Sequence, residues 1–426
     1  MVNIIGYRFN CSLETTNKYS NFIFRVKDNR EKCYLCTTNH TTMSNNVYLA
    51  SKPRYEILDG LRGVASIMVI FFHIFETYAA KLGYQIIDHG YLAVDFFFVL
   101  SGFVIGYAYD DRWNKMTTWG FFKRRLVRLH PMLIMGTLVG ACFYFFGQCP
   151  QFGLEGYADG WKFLLAVVLA LFMIPVGPGL DIRGWGEMNP LNGPQWSLTY
   201  EYIGNILYAF IFRRLPNFAL AILTAAAAFC TIDLCLNLNV FGLLTEGRNY
   251  AMYTVIGGWS LAPEQIYIGF TRLLYPFLIG LLLSRIGRKI TLKGGFWWCS
   301  LILVAIFSIP CVGGPGNIMN GVYNAACILL VFPLVVMMGA GSQIKGARSA
   351  KVCTFLGELS YPIYITHYPI LYMQMNWAWN HMDAPLYAHV VVAVSSVLIS
   401  IGLAYACLKL YDLPVRKWLT DHWLKK

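Results

Sequence analysis

His73, Glu76, Asp95, Glu201 and His367 are ionisable residues set inside, or at the edge of, long apolar runs. A group that carries charge or a proton costs free energy in such a place, so chemistry is sought there first. His73 lies ten residues beyond Gly63, which at about 1.5 Å per residue is about 15 Å into a helix, near the middle of a bilayer. A neutral imidazole is matched to proton transfer near pH 7, which fits a general base or a proton relay. The alternative is a structural histidine hydrogen-bonded between helices. Glu76 follows at i+3 on the same helical face, where it either orients the ring or stands at the outer interface. Asp95 sits four residues into the second run and His367 eight residues into the run 359–377, so a cluster of His73, Asp95 and His367 in the outer half of the membrane is expected. Asp95, with Ser101, flanks Phe96-Phe97-Phe98-Val99-Leu100, and its expected role is pairing with an arginine. For His367 a satisfied interhelical hydrogen bond and a functional role stand level.

A second set of residues is basic. Arg124, Arg125 and Arg128 precede Pro131, and Arg62 stands at the inner edge of the first run. Guanidinium groups take phosphates bidentately, which fits a phosphate-bearing donor bound from inside. Composition alone favours the plainer role of marking the cytoplasmic side and meeting lipid headgroups. At the outer end of the fifth run, Trp196 reads as an interfacial belt residue. Glu201, about one turn further in, is a carboxylate for a polar acceptor or for a charge in the bundle.

These residues need elements that hold them in lipid. Of 426 residues 57% are hydrophobic and only 13% charged, about half the roughly 25% charged share of a soluble domain. Mean hydropathy is +0.50. Eleven apolar runs recur, near 63–80, 91–109, 131–149, 161–176, 197–212, 216–238, 264–284, 296–312, 322–341, 359–377 and 387–411. If 161–176 is re-entrant, every Lys/Arg cluster falls on one side, as the positive-inside rule requires. The predicted fold is therefore all-α: a polytopic bundle of about ten transmembrane helices with both termini cytoplasmic. The net charge of +12 is explained by those cytoplasmic loops, and nucleic-acid binding is a poor reading.

The cysteines lie mostly alone in apolar runs, where a thiol acts as a small hydrophobe, and no disulfide framework is read. Residues 1–55 are polar and are expected to be disordered or an over-called start, with Met43 as a second candidate beginning. Cys33, Cys36 and His40 fall short of a tetrahedral zinc set, so no metal is predicted. Residues 56–415 form the membrane domain, and 416–426 are expected to be a basic cytoplasmic tail too short for a further domain.

The same residues, in order, carry a family resemblance. Leu58-Asp59-Gly60-Leu61-Arg62-Gly63 through His73, Gly90 to Phe103, Arg124 to Pro131, Trp196 to Glu201, and Leu356 through Ser360 and Tyr361 to His367 resemble five motifs of the membrane-bound acyltransferase 3 family, bacterial O-acyltransferases that modify exported sugars and other extracytoplasmic acceptors. The resemblance covers about residues 56–415 and is closest to members without an appended SGNH-type domain. It implies ten helices, cytoplasmic termini, the bacterial inner membrane, and transfer of an acyl group, usually acetyl, from cytoplasmic acyl-CoA. The acceptor would be a hydroxyl of an extracytoplasmic or lipid-linked glycan.

It further implies His73 as the base, with Glu201 beside it in the catalytic set, and Arg62, Arg124, Arg125 and Arg128 as contacts to the CoA phosphates. Asp59, Asp95, Trp196, Tyr361 and His367 become further site candidates, and Ser101 or Ser360 the candidate carriers if an acyl-enzyme forms. Acyl-CoA is a substrate here, and no resident cofactor is implied. The competing class is a proton-coupled transporter, since midplane His and Asp residues in Gly/Pro-interrupted helices also describe a carrier. No second copy of the motifs supports the repeats a transporter would show.

Overall fold

A computed structural model describes residues 11–14, 23–27, 33–37, 52–82, 85–147, 160–245, 248, 251–314 and 316–425. The chain divides into two units, Met1–Leu49 with Lys425–Lys426, and Ala50–Leu424. In the first unit β1 (Cys11–Glu14), β2 (Ile23–Lys27) and β3 (Cys33–Thr37) pair antiparallel in the order β1-β2-β3. Sequence reading assigned no element there. The side chains of Cys33, Cys36 and His40 lie outside the described residues.

The regular elements of the second unit, among its described residues, are helices: α1 (Glu56–Leu82), α2 (Ala93–Tyr109), α3 (Thr118–Gly147), α4 (Gly160–Leu171), α5 (Gln195–Phe210), α6 (Asn217–Cys235), α7 (Pro263–Ile286), α8 (Gly295–Ser308), α9 (Ile318–Ala326), α10 (Phe332–Gly341), α11 (Ala347–Asn380), α12 (Leu386–Cys407) and α13 (Leu413–Leu419). Local signals set several of the ends. Glu56 and Asp59 complement the N-terminal dipole of α1. Pro263 opens α7, and Gly287, at φ +70°, closes it in the left-handed conformation that other residues avoid. Five residues of π-helix join α9 to α10 without a break.

Among the described residues seven helical stretches are long and apolar enough to cross a membrane: Glu56–Ala79, Gly90–Lys115, Thr118–Gly147, Asn217–Cys235, Pro263–Ile286, Ile318–Gly341 and Leu386–Leu424. The chain is thus a multi-pass membrane protein. The sixteen residues of α5 and fourteen of α8 are shorter, while α11 has 34 residues but carries the polar seam described below. With 12 residues, α4 reaches about 18 Å, short of a hydrocarbon core of about 30 Å. Residues expected as a tail continue the last helix instead: Trp423 meets Trp119 of α3 at 6.2 Å and lies under Lys123.

Two helix pairs form the centre, and both run parallel. Along α1 and α11, Arg62 meets Ser360, His73 meets His367, and Thr77 meets Gln374. Along α2 and α7, Asp95 meets Arg272 and Asp110 meets Arg285. Glycine permits both approaches. A Cβ at Gly63 would stand 2.3 Å from the Leu356 carbonyl oxygen, and one at Gly102 only 1.9 Å from that of Phe277. Van der Waals contact between backbones drives helix association in lipid, where burial of apolar surface offers no gain.

Candidate active site

The seam between α1 and α11 holds the histidines. His73 Nδ1 lies 2.6 Å from a Glu76 carboxylate oxygen. A carboxylate only accepts, so Nδ1 carries the proton and Nε2 presents its lone pair. His367 Nδ1 lies 3.0 Å from the carbonyl oxygens of Ile363 and Tyr364 on its own helix, which assigns the same tautomer. Its Nε2, on the side of the ring away from that backbone, is buried without a hydrogen-bond partner among the described residues. The two rings are 5.6 Å apart, and Tyr368 stands edge-on to His73 at 4.6 Å. Two imidazoles with basic nitrogens therefore share one buried seam. One turn further along α1, Thr77 Oγ1 bonds Gln374 Oε1 at 3.0 Å, and the Trp379 indole donates to the Thr77 carbonyl.

Asp95, the expected third member of that cluster, is committed elsewhere. Its carboxylate takes the guanidinium of Arg272 at 2.7 Å, and both side chains are almost fully buried. Arg272 also donates to the carbonyls of Tyr91 and Gly257. Trp196 lies under that guanidinium at 5.1 Å with 7% of its surface exposed, so it is a buried cation–π partner and not an interfacial belt residue. An ion pair removed from water in this way survives because every charge is met, and removing one member is costly.

Glu201, expected about one turn in for a polar acceptor or a charge in the bundle, meets the charge. Counted from Gln195, where α5 begins, it lies about 9 Å into its helix. There it accepts from Arg125 at 2.7 Å and from Ser101 at 2.6 Å. Its carboxylate is thus spent on a buried tie between α2, α3 and α5, apart from His73, and Arg125 is neutralised by it. Neither serine is held by a histidine. Ser101 donates to Glu201, while Ser360 accepts from Arg62 at 2.8 Å and donates to the Gly357 carbonyl. Tyr361 donates to the Leu129 carbonyl, joining α11 to α3.

A cationic cluster stands at the opposite end of the seam from the histidines. Arg62, paired at 3.2 Å with Asp59, lies within electrostatic reach of Arg54 and Arg128. Arg416, paired at 2.9 Å with Asp412, feels the same two arginines. Arg124 sits one turn before Arg128 on the same face of α3 and is half-buried. Arg54 and Arg416 were missed by sequence reasoning: one precedes the first helix, and the other lies among charges assigned to a tail. Continuation of the apolar pattern of α12 into Leu413 was the signal that would have placed Arg416.

Comparison with known proteins gives the family. The family model described as Acyltransferase domain matches residues 55–407. The O-acetyltransferase OatA of Staphylococcus aureus is 25% identical over 390 residues, 86% of this chain and 58% of that protein, so the chain spans little more than half of OatA's length. Acyltransferase MdmB of Streptomyces mycarofaciens is 24% identical over 332 residues, 75% of this chain and 79% of that protein. Protein 2 in the picA locus of Rhizobium radiobacter is 34% identical over 163 residues, 37% of this chain and 81% of that protein. No solved structure matches. A matched region that takes in every helix from α1 to α12, histidine seam included, assigns the chain to the acyltransferase 3 family and makes it an acyltransferase.

Proposed function

We propose that the protein transfers an acyl group, acetyl in the simplest case, from cytoplasmic acyl-CoA to a hydroxyl of an extracytoplasmic or lipid-linked glycan across the bacterial inner membrane. The observation that carries the reading is the α1–α11 seam, with a histidine pair at one level and, at the level of Arg62 and Ser360, an arginine cluster to which α3 and α13 add Arg128 and Arg416. Arg62 lies eleven residues before His73, about 16 Å along the helix, a span suited to an extended pantetheine arm with its phosphates on Arg62, Arg128 and Arg416. His73 Nε2 takes the proton of the acceptor hydroxyl as the oxygen attacks the thioester carbonyl. The C–S bond breaks, and the departing thiolate receives that proton. Glu76 holds the ring and balances the imidazolium while it exists.

Ten crossings are the count that fits the parallel pairs. Successive spans alternate in direction, so α2 and α7 are parallel only if an odd number of crossings separates them, and α3, α5 and α6 supply three. Counting α4 as a crossing would make both central pairs antiparallel. The test is thiol release and acyl-glycan formation from acetyl-CoA by the purified protein in lipid, comparing wild type with His73→Ala. Loss of transfer in a stably folded variant is expected, and unchanged transfer would remove His73 as the base.

A further inference from the structure

The segment 177–195 between α4 and α5 is built around one turn. Asp181 accepts from the backbone N–H groups of Arg183 and Gly186, while Gly184 and Gly186 take φ of +75° and +71°, values open to glycine at little cost. Trp185 is thereby held at the tip, partly exposed and 6.0 Å from the Tyr372 ring of α11. Arg183 folds inward onto that ring at 3.8 Å and onto Tyr144 of α3, and donates to the Pro190 carbonyl.

Glu187 follows, only 8% exposed, with Tyr372 donating to it at 3.2 Å. A Cβ at Gly193 would lie 2.9 Å from its carboxylate and 3.1 Å from Tyr368, so glycine alone lets these groups converge. Tyr368 in turn stands 4.6 Å from both Tyr372 and His73. The loop therefore reaches the base through two tyrosines. Two buried side chains here keep hydrogen-bonding capacity to spare: among the described residues neither polar atom of the Asn189 amide, 2% exposed, has a partner, nor has His367 Nε2.

Charge gives the ligand its class. The groups that bear on Glu187 are Arg183 and Asp181 from the loop, Tyr372 from α11 and Glu76 from α1. Two further carboxyl groups thus bear on Glu187 against one guanidinium, and that guanidinium is stacked on tyrosine. Burial pushes the Glu187 carboxyl up to about 7 against the pull of Arg183, so near neutral pH it can both donate to and accept from a hydroxyl. Trp185 supplies an aromatic face at the mouth.

Resting on the acyl-transfer reading above, we propose that segment 177–195, through Glu187 and Trp185, is the acceptor subsite over His73. It takes a neutral or amine-bearing sugar ring and rejects anionic ones such as uronates.

The experiment measures binding of methyl glucoside, methyl glucosaminide and methyl glucuronide to the purified protein in lipid nanodiscs by saturation-transfer NMR and titration. It needs no turnover, so failure of acyl transfer and failure of the subsite are separate results. Wild type is expected to bind the glucosaminide and glucoside at least tenfold more tightly than the glucuronide. Glu187→Gln should shrink the gap between amine and anion tenfold. Trp185→Ala, at an exposed site, should weaken all three sugars while keeping their order. Equal binding of all three by wild type, no binding of any, or an unchanged order and spacing in Glu187→Gln would each overturn the proposal.

Discussion

The contact between His73 and Glu76 allows a prediction with a worked size. Glu76→Gln keeps a carbonyl oxygen that can accept from His73 Nδ1 but removes the charge opposite the developing imidazolium. A hydrogen bond to a charged group contributes about 1.5–3 kcal/mol and a neutral one about 1 kcal/mol. The difference is therefore about 0.5–2 kcal/mol, and the lower half applies because the Glu76 side chain is 41% exposed and water screens it. At 1.36 kcal/mol per tenfold, kcat should fall about two- to eightfold. Glu76→Ala, which also frees the ring to rotate, should cost more. The assay is thiol release at saturating acetyl-CoA and glycan, with the donor KM followed separately. An unchanged kcat for both variants, or a loss confined to the donor KM, would refute the claim that Glu76 acts through His73.

Three further outcomes follow from other contacts. Arg272→Ala leaves Asp95 charged and buried, at a cost of about 3–5 kcal/mol; a thermal melt in lipid should show the loss, with partial recovery in Arg272→Ala/Asp95→Asn. Glu187, at about 7 in the folded protein against 4.5 ordinarily, binds more protons folded than unfolded. Its contribution is therefore fully present below about 4.5 and is lost as pH rises through 7, so melting temperature should fall across that window more in wild type than in Glu187→Gln. Arg416→Ala should raise the donor KM several-fold and flatten its salt dependence, without changing acceptor KM, in initial-rate assays over a range of ionic strengths.

Much of this was legible in the chain, and the failures share a cause. Ionisable residues in apolar runs marked the histidine seam, because their cost in lipid is local and visible. That Asp95 needs an arginine was readable; that the arginine is Arg272, 177 residues away, was not, since nothing local encodes which helix lies opposite. Glu201 was read as a carboxylate one turn in, for an acceptor or a charge in the bundle; that the charge is Arg125, 76 residues away, is again set by tertiary packing. Asp181, Gly184 and Gly186 spell a turn by type. The target of that turn, Tyr372 on α11, belongs to tertiary packing, which is why segment 177–195 shows no motif.

The parallel pairing of α1 with α11 bears on how the molecule is made. Arg62 and Ser360 are separated by 298 positions in the chain, so at about 5–20 residues per second synthesis of the second lags the first by roughly 15–60 s. Throughout that interval α1 must reside in the membrane with its arginine and histidine facing no finished counterpart. Nascent chains halted before α11 should thus carry an unsealed polar stripe. Quality control by an insertase or a membrane protease would find its natural substrate there, and the seam closes as one of the last events of biogenesis.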